Sequence, residues 1–247
     1  MSVYGSPNIV KNGLFLCIDP ANPKSWTGSG TSVVDLISKN SNTLAGTYGY
    51  DTSSYAVPVM TMNNNGTNSD GTLTGTPSVN LDTLAQSYNF SVMFAVKKNY
   101  YGIGGNNTGD STFLEGATNG YNTGWRITEG RTGTPGAAYS SAHIFYFNFP
   151  GINTLFQITD SGSTNRMSVV GFTVTSSTIT GFINGAITTT SNPQTYVTGT
   201  SSFRISRNGY GTGSWNGLVG FIYLYSRALS QAELNQNFAA VRGRYGL

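Results

Sequence analysis

The chain has 247 residues, of which only 9% are charged, and its 13 basic and 10 acidic side chains leave a formal net charge of +3. That balance excludes the clustered basic surface nucleic acid requires, and no apolar run reaches the 18 residues of a membrane-spanning helix. With 32 Thr, 28 Ser, 25 Asn and 32 Gly beside 13 Phe, 15 Tyr and 3 Trp, the composition excludes disorder and predicts an all-β protein rich in turns.

The first expected strand is Leu14–Ile18, closed by Asp19-Pro20, because Pro20 and Pro23 forbid a central strand beyond it. Val33–Ile37 is a short apolar run, and Asn40–Gly75 reads as loop-dominated. In Asn89–Lys98, Phe90, Val92, Phe94 and Val96 alternate with Ser91, Met93 and Ala95, the period of a strand. After the glycine-rich loop Tyr100–Asp110, strands are expected at Thr112–Glu115, Trp125–Glu129, His143–Phe149, Leu155–Thr159 and Arg166–Val174. Ser177–Ile183 and Ala186–Thr190 flank Asn184-Gly185, whose two positive φ values suit a type I′ hairpin turn. Ser202–Ser206 and Leu218–Tyr225 follow, with Gly220 predicting a bulge or a close backbone approach.

One helix is expected near the C-terminus. Ser230 and Glu233 have capping-box spacing, and Leu229 and Leu234 form a hydrophobic staple. Leu234, Phe238 and Val241 fall on one face, and Gly243 is placed to end the helix. About a dozen strands and one helix predict a two-sheet antiparallel jelly-roll sandwich, with residues 1–12 an N-terminal arm and 13–247 a single domain.

Three stretches carry a family resemblance. They are Asn12–Trp26 with Gly28-Ser29-Gly30 and Val34-Asp35-Leu36; Arg166–Thr190 with its Phe182-Ile183-Asn184-Gly185 turn; and Phe203–Arg207 followed by Trp215–Ser230. Together they resemble the laminin-G-like branch of the concanavalin A-like lectin/glucanase superfamily, and the first stretch is similar to the versions found in tailed-bacteriophage structural proteins. The resemblance implies a concanavalin A-like jelly roll, with glycan binding or a structural role more often than catalysis. Relatives often carry an acidic pair after the glycine of the penultimate strand, where this chain has Gly220-Phe221-Ile222. Asp19 and Asp35 are then the carboxylates a family-type calcium site would draw on, with turn formation as their alternative role.

Catalysis finds little material. Zinc needs about four His, Cys or carboxylate ligands, and the chain has one His, His143, and one Cys, Cys17, in an apolar strand. Gly66–Gly71 resembles part of an EF-hand loop, but Gly66 stands at its first position and Pro77 at its twelfth. No Ser lies in a Gly-x-Ser-x-Gly setting, and no Glu-x-Asp-x-Glu strand is present. Glu115 and Glu129, in neighbouring strands and able to face one another, are the best available carboxyl pair, and structural roles suit them better. No catalytic residue, metal or cofactor is therefore expected.

Glycan or protein contact has better material in loop aromatics beside Gly and Asn. Trp26, Tyr100, Tyr101, Tyr121, Trp125, Tyr210, Trp215 and Asn216 are the candidate contacts, with Tyr139 a further loop aromatic. Trp215 packing under its own loop is the alternative. The single cysteine and an N-terminus without a signal-peptide pattern lead to an expectation of cytoplasmic synthesis, with the sequons at Asn65, Asn89 and Asn106 incidental. The expected role is a non-catalytic virion protein, a capsid decoration or surface knob that docks on capsid or tail subunits and holds host-surface glycans weakly. A receptor-binding module of a tail fibre or spike, as a homo-oligomer, is the second reading, and a polysaccharide-cleaving enzyme the third.

Overall fold

A computed structural model describes residues 8–62, 71–98, 111–116, 123–130, 143–149, 156–160, 166–194, 196–206 and 215–247. The chain first forms β1 (Leu14–Ile18), β2 (Ser32–Val34), β3 (Ser41–Ala45), β4 (Tyr48–Asp51), β5 (Val59–Met62) and β6 (Thr72–Gly75). The short helix α1 (Leu81–Gln86) leads into β7 (Phe90–Lys98), β8 (Ser111–Gly116), β9 (Trp125–Gly130), β10 (His143–Asn148) and β11 (Phe156–Asp160). Then come β12 (Ser168–Val174), β13 (Thr178–Ile183), β14 (Ala186–Ser191), β15 (Phe203–Ile205), β16 (Gly217–Tyr225) and the helix α2 (Gln231–Val241).

These strands make two antiparallel eight-stranded sheets. Sheet I runs β14-β13-β12-β7-β16-β5-β4, with β1 also paired to β16. Sheet II runs β11-β10-β9-β8-β15-β6-β3-β2. Many partners are distant in sequence, as where β7 pairs with β16 and β8 with β15. The result is the two-sheet jelly-roll sandwich the sequence predicts.

Strand alternation explains the layers. Phe90, Val92, Phe94 and Val96 of β7 point between the sheets, where they meet Phe113, Ile127, Phe145, Phe147 and Ile222. Each such fully buried side chain contributes about 1.5–3 kcal/mol, and Phe94 and Phe113 bring their ring centroids to 4.5 Å. On the other face of β7, Met93 and Ala95 join Phe221, Tyr223 and Tyr225 in a second apolar layer beneath Leu234 and Val241 of α2. Sheet I is thus buried on both faces at its centre.

The local signals hold. Asn184 and Gly185 take φ values of 48° and 99°, as a type I′ turn demands. Ser230 Oγ accepts from the Glu233 amide at 3.3 Å, and the Glu233 carboxylate accepts from the Ser230 amide at 2.9 Å. The β16 register shifts between Val219 and Phe221, and a Cβ on Gly220 would lie 2.4 Å from the Tyr245 hydroxyl oxygen. The bulge occurs, and what approaches Gly220 closely is the Tyr245 side chain.

Three readings change. Asn40–Gly75 holds β3, β4, β5 and β6, because their partners supply an order that strands of four or five residues lack alone. The run Val33–Ile37 breaks after Val34, where the Asp35 carboxylate accepts from the amides of Ile37 and Ser38 and folds a turn. Gly243 does not end α2; a 3-10 turn over Arg242–Arg244 follows, and the left-handed residue is Gly246 at φ 70°. α1, capped by Asn80, has no counterpart in the sequence reading.

Asn237 of α2 is fully buried and joins three elements. Its side-chain oxygen accepts from the Val10 amide at 2.7 Å, and its Nδ2 donates to the Tyr225 hydroxyl at 3.0 Å. That hydroxyl donates to the Val10 carbonyl at 3.1 Å, and Gln236 Nε2 donates to the Asn8 carbonyl at 2.7 Å. Residues 8–10, within the stretch read as an arm, are held against α2.

Candidate functional site: a polar groove on sheet II

The inward residues of sheet II include Val33, Leu44, Leu73, Phe203, Ile205, Leu114 and Ile127. The residues between them face outward, and register sets six in one row. Ser32 lies opposite Thr43, Thr43 opposite Thr74, and Thr74 opposite Arg204. Arg204 is opposite Glu115, and Glu115 opposite Arg126.

At the hydroxyl end of this row is an open groove of about 560 Å³, lined by Asn40, Ser41, Thr43, Thr74, Gly75, Thr76 and Ser202. Two carboxylates shape its walls, Asp35 fully buried and Asp82 half-buried. Asp35 receives the amides of Cys17 at 2.8 Å and of Ile37 and Ser38 at 3.0 Å, and its own amide donates to the Asn40 carbonyl at 2.9 Å. That turn delivers Asn40 and Ser41 to the groove. On the other side, Asp82 accepts from the Tyr196 hydroxyl at 2.6 Å and the Gly199 amide at 2.7 Å. Those bonds fix the segment that brings in Ser202, and burial first, then the hydrogen bond to Asp82, raises the Tyr196 hydroxyl pKa.

Hydroxyl and amide groups donate and accept. The groove lining carries no carboxylate, imidazole or ammonium group, so it offers hydrogen bonds to a hydroxyl-rich ligand and no acid–base pair. Among the described residues no group of three or more His, Cys, Asp or Glu side chains could hold a metal ion. Asp19 accepts from Arg244 at 2.7 Å and from the Ala21 amide at 3.1 Å. Asp35 is saturated by its turn.

The tryptophans are corrected. Trp26, Trp125 and Trp215 are 2%, 2% and 0% exposed and belong to the core. Trp26 donates to the Ser29 carbonyl at 3.1 Å and meets Tyr50 edge-on at 5.3 Å. Trp125 packs on Phe90 at 5.5 Å, and Trp215 on Phe113 at 5.0 Å. Neighbouring glycines make the room: a Cβ on Gly116 would lie 2.3 Å from the Trp125 ring, and one on Gly217 2.5 Å from that of Trp215. Asn216 is half-buried beside Trp215. Tyr100, Tyr101, Tyr121, Tyr139 and Tyr210 lie outside the described residues, as do Gly66–Asp70, Asn65 and Asn106.

Glu115 and Glu129 do not face one another, because the β8–β9 register sets Glu129 opposite Ser111. Glu115 is bonded to Arg204 at 3.0 Å. The side chains of Glu129 and His143 are outside the described set. Cys17 is buried, and burial, with the Asp19 and Asp35 charges, pushes its thiol up to about 12. Thr43, Thr74 and Ser202 escaped the sequence reading; only register joins them.

Several solved structures share this architecture. The binding domain of botulinum neurotoxin serotype D/C matches with a TM-score of 0.65 and 16% identity over 93% of this chain and 52% of that one. The binding domain of botulinum neurotoxin DC in complex with rat synaptotagmin II gives 0.64 and 14% over 93% and 52%. Domain 4 of AbnA, a GH43 extracellular arabinanase from Geobacillus stearothermophilus, in complex with arabinotriose, gives 0.62 and 16% over 93% and 100%. The chain spans about half the length of the toxin domains and all of the arabinanase domain. At these identities the likeness is one of fold. Protein-family models and curated proteins give no match to the sequence.

Proposed function

We propose that the chain is a non-catalytic, glycan-binding jelly-roll module that serves as a decoration or surface knob of a tailed-phage particle. The observation that carries the glycan reading is the groove over β3 and β6, where Ser, Thr, Asn and Gly groups without a charge meet solvent on an ordered sheet. Fixed hydroxyl and amide groups match the hydroxyls of a sugar, and pre-ordering by Asp35 and Asp82 lowers the entropic cost of binding. The arabinotriose complex of the arabinanase domain places a sugar on a sandwich of the same architecture. The phage placement rests on the sequence resemblance of the first stretch, Asn12–Trp26 with Gly28-Ser29-Gly30 and Val34-Asp35-Leu36.

A glycan-array screen tests the binding. Wild type is expected to bind oligosaccharides, and Thr43→Val with Thr74→Val to weaken them about tenfold, the worth of one or two hydrogen bonds. No binding to any glycan would overturn the reading, as would release of reducing ends from a bound polysaccharide. Mass-spectrometric counting in purified virions tests the placement, and high copy number supports decoration. Strong, selective glycan binding at low copy number would replace it with the receptor-binding reading, which the toxin binding domains of like fold favour.

A further inference from the structure

We infer that the glycan taken by this groove carries a carboxylate and that Arg204 receives it. The inference rests on the glycan-binding reading and adds the chemical class of the ligand.

The row across sheet II does not stop at the groove. Thr74 lines the groove and lies directly opposite Arg204, and Ser202, also a lining residue, is the preceding outward position of the same segment. Adjacent strands are about 5 Å apart, a step comparable with the width of one sugar ring. A ligand of two or more units seated over Thr43 and Thr74 and lying across the strands therefore reaches Arg204.

The exposed guanidinium favours an acid there. Glu115 lies between Arg204 on β15 and Arg126 on β9 in the register of the sheet. Glu115 is 3% exposed while the Arg204 side chain is 38% exposed. The exposed member of this ion pair is the guanidinium, so positive charge meets solvent at Arg204. Its NH1 donates to Glu115 Oε1 at 3.0 Å, which holds the side chain in place while engaging only part of a five-donor fork. A guanidinium held from behind and open in front suits a planar carboxylate. The surrounding Thr, Ser and Asn groups take the sugar hydroxyls.

The test uses the full chain on an array printed in matched pairs. Each acidic oligosaccharide, some ending in a uronate and some in a sialate, stands beside its carboxyl-reduced neutral counterpart. Wild type is expected to prefer the acidic member about tenfold, the worth of a charge-assisted hydrogen bond, and the preference should shrink as salt rises from about 50 to about 500 mM. Arg204→Gln should bring each pair to equality while leaving the neutral member's binding in place. Because Arg204→Gln strips Glu115 of a partner, the double variant Arg204→Gln with Glu115→Gln guards against a folding defect and should give the same equality. Equal binding of both members by wild type, or a preference that survives in the double variant, overturns the inference and leaves the glycan reading standing. No binding to either member of any pair defeats both.

Discussion

Arg244, in the last helical turn, donates to the carboxylate of Asp19, one residue beyond β1, at 2.7 Å. The bond closes the end of the chain onto the end of its first strand. Asp19 is almost buried, so removing Arg244 strands a carboxylate away from water. Arg244→Met is expected to lower stability by about 2 kcal/mol, below the range for fully buried pairs because the arginine is partly solvated. Asp19→Asn added to it should recover part of the loss. Urea denaturation of the two variants measures both, and additive losses would rule out the coupling.

Cys17 neighbours this pair. Burial, followed by the Asp19 and Asp35 charges, holds its thiol pKa at about 12, so almost no thiolate exists at neutral pH. A disulfide reagent at about pH 8 should leave the folded protein unlabelled and label it at once in denaturant. Stoichiometric labelling of the folded protein would contradict the burial of this strand.

Acid should loosen the start of α2. The hydrogen bond from Arg227, then those from Ser230, hold the Glu233 carboxyl at about 2. Its folded pKa lies below the ordinary value of 4.5, so its stabilising effect is complete above that value and disappears as pH falls towards 2. Asp51 behaves alike, held at about 2 first by the Ser54 hydroxyl and then by the Ser53 amide. Stability should therefore decline over this acid window, and Arg227→Gln should flatten the decline. An unchanged slope in that variant would show the pair to be idle.

Local chemistry explains what the sequence made legible. The Asn184-Gly185 turn and the Ser230–Glu233 box lie within a few residues of their own partners, so spacing suffices. In β3 only Asn42 and Leu44 turn inward, and a five-residue strand of Ser, Asn, Thr, Leu and Ala has no pattern apart from β6. The same limit hid the groove and misplaced the tryptophans. Trp215 looked like a surface aromatic because it follows a Gly/Ser loop, while the ring that buries it, Phe113, is remote in sequence. Arg204 lies in the Phe203–Arg207 stretch, but its meaning depends on Glu115, another strand away.

Gly220 tests the bulge in β16. A methyl group there would stand 2.4 Å from the Tyr245 hydroxyl oxygen and 2.8 Å from a carbon of its ring. Gly220→Ala should cost about 2 kcal/mol through overpacking, read as a lower Tm. A variant as stable as wild type would show that Tyr245 moves freely.

Asn237 tests the join of residues 8–10 to α2. Asn237→Leu leaves the Val10 amide without its acceptor and should cost about 2 kcal/mol. Hydrogen exchange should show the Val10 amide losing protection first. Protection unchanged at Val10 would refute the assigned bond.

That join also gives the sandwich a direction. Asn8, Val10 and α2 lie together on the outer side of sheet I, while Thr43, Thr74 and Arg204 look out from the far side of sheet II. A particle that grips the molecule by the α2 side would hold it like a cup by its base, with the groove turned towards whatever drifts past.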